Sequence, residues 1–276
     1  MFVVASATAR DKSLPTTGAV LGIDVGWSET RRSSAACMMS WDDTSIKISV
    51  CRFTAQECDV RTSLKALLVR RCLVAAIDGP LARDLPVVRR YRIAESMLTR
   101  AFWSTIGKPG QSSSPNGIKL NTTANKTAEI LRQLAIVEAA KHDHAILKEA
   151  VVEAFPTAFL GTMLGIEEVA RSGRQARSDT YYKRLTQSGP CRLAGLIQRF
   201  LPGRVLSSPL WATRNHDERA AVVCAATALA VAAGEYTAVG DKDHGWIILP
   251  PRAVEVAPYG LQPWAEDALQ RQTLTH

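Results

Sequence analysis

The chain has 276 residues, of which 46% are hydrophobic and 22% charged, a balance that excludes a wholly disordered protein. No apolar run approaches the roughly 20 residues that span a bilayer. The apolar start at residues 1–9 lacks the basic leading region of a secretory signal, so we expect a cytoplasmic protein with no membrane partner. The formal net charge of +8 favours phosphate-rich partners.

The first part of the chain predicts a three-stranded meander. Apolar runs at residues 18–26, 34–41 and 45–53 are typical of buried strands. The sequence Asp42-Asp43-Thr44, between the last two runs, suits a hairpin turn. We therefore expect three consecutive strands, each antiparallel to the one before it.

A helix and a fourth strand are expected after the meander. Leucines at helical spacing predict a helix over residues 63–71, which Asp59 or Thr62 can cap. Residues 73–78 form a second fully apolar run, and this run ends in an aspartate. Because a strand reached through a helix from such a meander lies parallel to the first strand, the order β-β-β-α-β predicts an α/β fold with a mixed sheet.

The rest of the chain predicts mainly helices. They are expected over residues 86–106 (irregular and basic), 121–140, 157–170, 178–200 and 217–233. Short strands are expected at residues 150–154 and 245–250. The residues between 107 and 117 are rich in Gly, Pro and Ser and predict a polar loop.

The pattern as a whole predicts a single domain. The sequence contains no internal repeat and no long linker, so we expect one domain at residues 18–251, between a flexible lead-in at 1–17 and a C-terminal tail at 252–276. Its six cysteines lack the spacing of a zinc site and most lie in apolar stretches. We expect them to act as small hydrophobic residues.

Two of the apolar strands end in aspartates, Asp24 and Asp78, and these strands are expected to be neighbours. In open α/β sheets, sites form beyond the carboxyl ends of parallel strands. Two carboxylates brought together there repel each other unless a cation lies between them, which is the condition for a Mg²⁺ or Mn²⁺ site. The alternative is that each aspartate only begins a turn, because both are followed by turn sequences.

Three further residues are candidates for the same site. Asp217, at the start of the alanine-rich helix, is the candidate third carboxylate, although it also suits the first turn of a helix. Glu153 is either a further metal ligand or the partner of a basic side chain. His216 is a candidate proton shuttle or a polar surface residue, and Glu95 is expected to be an ordinary acid on a helix surface.

Basic residues in two clusters are candidate nucleic-acid contacts. They are Arg89, Arg90, Arg92, Lys108, Lys119, Lys183 and Arg184. Tyr181 and Tyr182 lie within the second cluster, and basic residues with interleaved aromatics can bind a strand by charge and stacking. The alternative for each basic residue is a solvated helix face.

Several motifs carry a family resemblance. They are GIDVGWS at 22–28, AIDGPLA at 76–82, VVEAFPTAFL at 151–160, HDERAAVVCAATALAVAAGEY at 216–236 and GWIILPP at 245–251. In this order they resemble the motif series of the DUF429 family of predicted nucleases. The resemblance implies an RNase H-like fold, with a three-stranded antiparallel meander plus parallel strands in one mixed sheet flanked by helices. It also implies a Mg²⁺- or Mn²⁺-dependent nuclease that hydrolyses DNA or RNA.

The chain also resembles the RuvC-like resolvases of the same fold. Their acidic residues come from the first strand, the fourth strand and a late helix, and Asp24, Asp78 and Asp217 match these places. The resemblance therefore implies that these three residues are catalytic. In such enzymes one metal ion activates water and another stabilises the leaving oxygen.

Two alternative functions remain open. The late-helix motif of the resolvases often carries a second acid, and Ala220 occupies that position here. A catalytically weak relative that binds nucleic acid or a protein partner is therefore the first alternative. The second is an actin-like or sugar-kinase-like ATPase, because residues 22–26 resemble the first phosphate motif of that superfamily. The chain is too short for its two related halves.

Overall fold

The computed structural model describes residues 3–8, 14–100, 102–107, 110–138, 143–171, 177–187, 190–255 and 258–274. The strands in these ranges are β1 (Val3–Thr8), β2 (Gly18–Asp24), β3 (Ser34–Trp41), β4 (Ser45–Phe53), β5 (Ala75–Asp78), β6 (Val151–Ala154), β7 (Val205–Leu206), β8 (Glu235–Asp241) and β9 (Gly245–Leu249). They form one sheet in the order β1-β8-β9-β6-β5-β2-β3-β4-β7.

Helices flank this sheet. They are α1 (Glu57–Leu67), α2 (Ile93–Met97), α3 (Trp103–Ile106), α4 (Pro115–Gln133), α5 (Pro156–Thr162), α6 (Ile166–Ala170), α7 (Arg177–Gln187), α8 (Arg192–Phe200), α9 (His216–Ala232) and α10 (Pro263–Leu274), with a short 3-10 helix at Leu210–Ala212. In the ranges that the structure describes, no helix combines the length and the apolar character needed to cross a membrane.

The predicted meander and the parallel strand beside it are confirmed. β2 pairs antiparallel with β3, and β3 pairs antiparallel with β4. β5, which the chain reaches through α1, pairs parallel with β2 on the other side. β6 continues the parallel part of the sheet and β9 extends it, so the sheet is mixed as the sequence predicts.

Several predicted helix boundaries are wrong, among them the starts of α1 and α4. α1 begins at Glu57, ahead of both predicted caps, and Asp59 instead accepts a hydrogen bond of 2.8 Å from the backbone N–H of Thr54. α4 begins inside the predicted polar loop. Ser114 caps it, accepting a hydrogen bond of 3.0 Å from Gly117 N, and Pro115 takes the first helical position. Proline fits there because that position needs no backbone donor.

The ends of the chain are more regular than the sequence suggests. Residues 3–8, predicted as part of a flexible lead-in, form the edge strand β1, which is antiparallel to β8. β8 itself was not predicted, and its unpaired side supplies the backbone groups that β1 binds. The predicted tail contains α10, so both terminal segments contain regular secondary structure.

Helix α9 is buried along nearly its whole length and packs on β2, β3 and β5. Helices α5, α7 and α8 contact its other side, which explains why it is apolar all round. Gly22 of β2 allows the close approach, since a Cβ there would lie 2.1 Å from the backbone N of Ala225 and 2.2 Å from the carbonyl O of Ala221. The face of β2 that carries Gly22 is therefore the face that α9 covers.

We expect Gly22→Ala to lower the free energy of unfolding by about 1–3 kcal/mol, because α9 must move away from the sheet to admit the methyl group. Urea denaturation of both proteins measures the difference. Gly110→Ala is the matched control, since a Cβ at Gly110 meets no atom within 4 Å. Equal stabilities of the two variants would contradict the packing described for α9.

Candidate functional site

The two strand-end aspartates lie side by side. Asp24 and Asp78 are direct partners in the parallel register of β2 and β5, and directly paired residues project to the same face of a sheet. Side chains alternate along a strand, so Asp24 shares the α9 face with Gly22. The prediction that the two strand ends meet is confirmed.

The surroundings of this pair oppose its ionisation. Burial raises the pKa of Asp24 well above its usual value, and the charges of Asp78 and Asp217 raise it further. Burial, followed by the charge of Glu153, raises the pKa of Asp78 to about 7. Neither aspartate therefore behaves as an ordinary turn residue, and a bound cation would stabilise the charged form of both.

Across the sheet, the pair continues into a row of side chains on one face. Asp24 is opposite Ala35 of β3, and Ala35 is opposite Arg52 of β4. The row therefore reads Asp78, Asp24, Ala35, Arg52. The guanidinium of Arg52 binds the carboxylate of Asp217 at 2.7 Å.

Arg52 is the residue of this site that the sequence analysis missed. The signal for it lies in the hairpin turn, where Asp42 Oδ1 accepts hydrogen bonds from the backbone N–H groups of Thr44 at 2.9 Å and Ser45 at 2.7 Å. A turn fixed in this way sets the register of β3 and β4. That register aligns Arg52 with Asp24.

Asp217 reaches the site because another residue caps its helix. Asn215 Oδ1 accepts hydrogen bonds from the backbone N–H groups of Asp217 at 2.9 Å and Glu218 at 3.2 Å. The carboxylate of Asp217 is thus left to bind Arg52 and to act electrostatically on Asp24. Its position in the first turn of α9 adds the favourable field of the helix N-terminus.

The carboxylates do not form a ready-made three-ligand metal site. Within the described ranges, no group of three or more His, Cys, Asp or Glu side chains is arranged to hold a metal ion. Arg52 holds Asp217, so two carboxylates remain, Asp24 and Asp78. Mg²⁺ usually keeps several waters and takes one or two protein carboxylates together with substrate phosphates. The pair fits one such ion.

Glu153 does not lie with this pair. In the register of β5 and β6 it is opposite Ile77, whereas Asp78 is opposite Ala154. Because successive side chains alternate between the two faces, Glu153 projects to the face away from Asp78. The prediction that Glu153 shares the metal with Asp24 and Asp78 is therefore wrong, and the alternative, binding of a basic side chain, is found.

That basic side chain is Arg92, which the sequence analysis placed at the nucleic-acid surface. Arg92 is only 2% exposed. Its guanidinium donates to both oxygens of Glu153, at 2.6 and 2.7 Å, and its Nε donates to Glu95 at 2.7 Å. Glu95 is also fully buried. The predictions of a surface role for Arg92 and for Glu95 are wrong, and the three residues form a buried ionic network.

The network holds the segment that follows Asp78. Glu153 accepts a hydrogen bond of 2.8 Å from the backbone N–H of Leu81, and Arg92 donates to the carbonyl of Leu81 at 3.1 Å. The buried Asn121 donates to the carbonyl of Pro80 at 2.8 Å. Three buried polar side chains thus fix the backbone two and three residues beyond Asp78.

His216 is directed to a different partner. Its Nδ1 lies 3.3 Å from Asp179 Oδ1, and the same oxygen accepts a hydrogen bond of 3.1 Å from Arg219. The His216 side chain is 56% exposed. The structure therefore joins it to α7, and its role as a proton shuttle stays a prediction.

Ala220 lies close to α5 and α7. It is buried and lines a narrow hollow with Pro156 and Leu160 of α5 and Tyr182 of α7. Asp179, His216 and Arg219 also line the hollow, so a carboxylate at position 220 would lie close to the Asp179 carboxylate and its two partners. The alanine therefore suits the packing around it.

The predicted nucleic-acid contacts have different outcomes. Arg89, Arg90, Lys119 and Lys183 are exposed, Arg184 is half-buried and donates to the carbonyl of Glu168, and Lys108 lies outside the described residues. Tyr181 and Tyr182 are buried, so the prediction that they stack on bases is wrong. Their hydroxyls donate to the carbonyls of Ile106 and Leu210, each at 2.8 Å.

Arg89 and Arg90 are not brought to the carboxylate pair. They line an open pocket of about 300 Å³ together with Arg92 and His244. Arg92 binds Glu153 on the face of the sheet away from Asp24 and Asp78. Arg89 and Arg90 therefore lie with Arg92 and not with the carboxylate pair.

Comparison with known proteins adds no further assignment. No known family model matches the chain, and neither the curated proteins nor the solved structures include a significant match. The resemblance to the DUF429 family therefore stays a prediction that rests on the five sequence motifs.

Proposed function

We propose that the chain is a divalent-metal-dependent nuclease that hydrolyses phosphodiester bonds in DNA or RNA. The observation that carries the proposal is the Asp24–Asp78 pair, two neighbouring carboxylates whose pKa values are both raised. Such a pair needs a cation to be charged at neutral pH, and the net charge of +8 favours a polyanionic substrate.

In this proposal Asp24 and Asp78 hold Mg²⁺ or Mn²⁺. The ion supplies an activated water and stabilises charge on the reacting phosphate. Arg52 is the cation of the row, and a guanidinium suits binding of a phosphate as well as of the Asp217 carboxylate. While no phosphate is bound, the Asp217 carboxylate balances the charge of Arg52. When Arg52 binds a phosphate instead, Asp217 is released and becomes available as a third acid.

The sheet supports the same proposal. A three-stranded antiparallel meander is continued by the parallel strands β5 and β6, and a late helix crosses the strand that carries Asp24. This arrangement is what an RNase H-like fold and membership of the DUF429 family predict. The acids that the RuvC-like resolvases carry on their first strand, fourth strand and late helix then correspond to Asp24 on β2, Asp78 on β5 and Asp217 on α9.

The test is cleavage of labelled single-stranded, duplex and branched DNA and RNA in Mg²⁺, Mn²⁺ or EDTA. We expect metal-dependent cleavage that falls in Asp24→Asn and in Asp78→Asn by more than the roughly 10- to 100-fold that loss of an outer-shell partner costs. Asp43→Asn is the matched control, since Asp43 is an exposed aspartate of the β3–β4 turn. Folded wild-type protein that cuts none of these substrates would overturn the nuclease proposal.

One observation favours a second function, binding without cleavage. Ala220 occupies the position of a second late-helix acid and Arg52 binds Asp217, so the chain has fewer free carboxylates than a full four-acid site requires. Retained binding of nucleic acid with no metal-dependent cleavage would select this function. Turnover of ATP in the absence of nucleic acid would select the ATPase instead.

A further inference from the structure

An exposed indole follows Asp24 closely in the chain. Trp27 is three residues beyond Asp24, in the loop between β2 and β3, and it is 44% exposed. Within the part of the chain that the structure describes, its Nε1 makes no hydrogen bond. A large aromatic surface in contact with solvent is therefore presented next to the end of β2.

The backbone that carries Trp27 is fixed on both sides. Gly26 N donates to Ser34 Oγ at 2.9 Å, and Ser34 Oγ donates back to Gly26 O at 3.3 Å. On the other side, Ala55 N donates to Ser28 O at 2.8 Å. Gly26 is required here, because a Cβ would lie 2.4 Å from the backbone carbonyl O of Ser33. A rigid backbone lets the indole bind a flat partner with little loss of conformational entropy.

The same loop carries positive charge and is tied to the carboxylate row. Arg31 and Arg32 are exposed, and Glu29 is its one acidic residue. Arg31 makes no ion pair with any residue that the structure describes. Arg52, which binds Asp217, also donates to the carbonyl of Arg32. A strand whose phosphates lie near these cations would bring a base close to Trp27.

We propose that Trp27 stacks on an unpaired nucleobase, so that the site takes single-stranded or locally unpaired nucleic acid. The inference rests on the proposed function, because it takes the Asp24–Asp78 pair as the place of the phosphodiester. Inside a duplex both faces of a base are covered by its neighbours, whereas an unpaired base offers a free face to an aromatic side chain. An apolar protein partner fits less well, because two guanidinium groups follow Trp27 on the same loop.

The test measures binding without cleavage. Fluorescence anisotropy gives the Kd of 12-nucleotide single strands and matching duplexes, as DNA and as RNA, for proteins that all carry Asp24→Asn. We expect Trp27→Ala to weaken single-strand binding by roughly 5- to 100-fold, the range found when a stacking aromatic is truncated. Duplex binding should change by less than about 2-fold, and Trp27→Phe should retain most of the single-strand affinity.

A matched control and a modified strand sharpen the result. Trp211→Ala removes another exposed tryptophan, 52% exposed and outside this loop, and should leave binding unchanged. A series of single strands, each with one abasic position at a different place, locates the stacked base. One strand of the series should bind more weakly to the protein that has Trp27, whereas Trp27→Ala should bind all strands of the series equally. Unchanged single-strand binding in Trp27→Ala, or an equal loss on strand and duplex, would overturn the inference.

This test separates the two proposals. Single-strand binding that depends on Trp27, together with a wild-type protein that cuts nothing, leaves the stacking role standing and rejects the nuclease. Metal-dependent cleavage with no effect of Trp27→Ala rejects the stacking role alone. The DNA and RNA arms distinguish the two sources of an unpaired base.

Discussion

Replacing Glu153 with alanine is expected to lower the free energy of unfolding by about 3–5 kcal/mol, the usual cost of removing one partner of a buried ion pair. The variant would leave the Arg92 guanidinium, 2% exposed, without the two hydrogen bonds of 2.6 and 2.7 Å that it makes to Glu153. It would also leave the backbone N–H of Leu81 without its acceptor. Glu95 then remains as the single carboxylate that binds Arg92.

Chemical denaturation with urea measures this loss. Glu57→Ala is the matched control, because Glu57 binds Arg61 at 2.8 Å and Lys126 at 3.6 Å in ion pairs that are open to solvent. Pairs of that kind contribute about 0.3–0.5 kcal/mol. If the two variants lose the same amount, the Arg92 network is not the buried structural element that the geometry indicates.

The central part of the sheet could be predicted because its strands are marked by composition. β3 and β4 have the predicted bounds, since apolar runs end at the Asp42–Thr44 turn and at polar residues. The parallel pairing of β5 with β2 follows from the helix between them and from the preference for simple crossovers. These two features were enough to bring Asp24 and Asp78 together.

The face to which a side chain points could not be predicted where a strand is buried on both sides. β6 reads VVEA and is buried throughout, so its sequence has no alternation of polar and apolar residues to show which face is which. Only the register with β5 places Glu153 opposite Ile77. A slip of one residue would have put Glu153 opposite Asp78, in the same row as Asp24, where a metal ligand would lie.

The burial of Arg92 could not be predicted from the sequence for a related reason. Arg92 stands in the run RRYR, and nothing in that run distinguishes the arginine that points inward from its exposed neighbours. Its partners Glu95 and Glu153 come from a helix and a strand that are distant in the chain from each other. Ion pairing with a residue that is distant in the chain decides that Arg92 is buried, and the local sequence does not show that pairing.

The metal-free protein is expected to lose stability as the pH rises from about 5 to about 8. The pKa of Asp78 is raised to about 7, and that of Asp24 is raised as well, so the folded chain binds protons that the unfolded chain has already released. Stability therefore falls with pH between the ordinary carboxyl value near 4 and about 7. The loss should be on the order of 2–4 kcal/mol.

Carboxylates with lowered pKa values do not contribute to the change of stability between pH 5 and pH 8. Hydrogen bonds from Thr44 and Ser45 lower the pKa of Asp42 to about 2, so it is ionised throughout the range from pH 5 to pH 8. Asp42 and similar groups add stability that is already complete at pH 5. The slope between pH 5 and pH 8 therefore reports mainly the carboxyls whose pKa values are raised by burial, which are Asp24, Asp78 and Glu153.

A divalent cation should restore the stability that is lost at high pH, and it should do so near pH 8 and not near pH 5. We expect 5 mM Mg²⁺ or Mn²⁺ to raise the stability at pH 8 and to change it little at pH 5, where the pair binds protons instead. In EDTA at pH 8, Asp24→Asn should be more stable than the wild type, since it removes the repulsion with Asp78. The same variant should lose the stabilisation by metal, which separates a cation bound at this pair from a general effect of salt.

Urea denaturation at pH 5, 6, 7 and 8, with EDTA or with metal, measures the free energy of unfolding of the wild type and of Asp24→Asn under each condition. Wild-type stability that rises with pH in EDTA would show that the two aspartates ionise freely. Full stabilisation by metal in Asp24→Asn would place the cation elsewhere in the chain. Because both results are independent of any substrate, they test the metal at this pair separately from the proposed cleavage of nucleic acid.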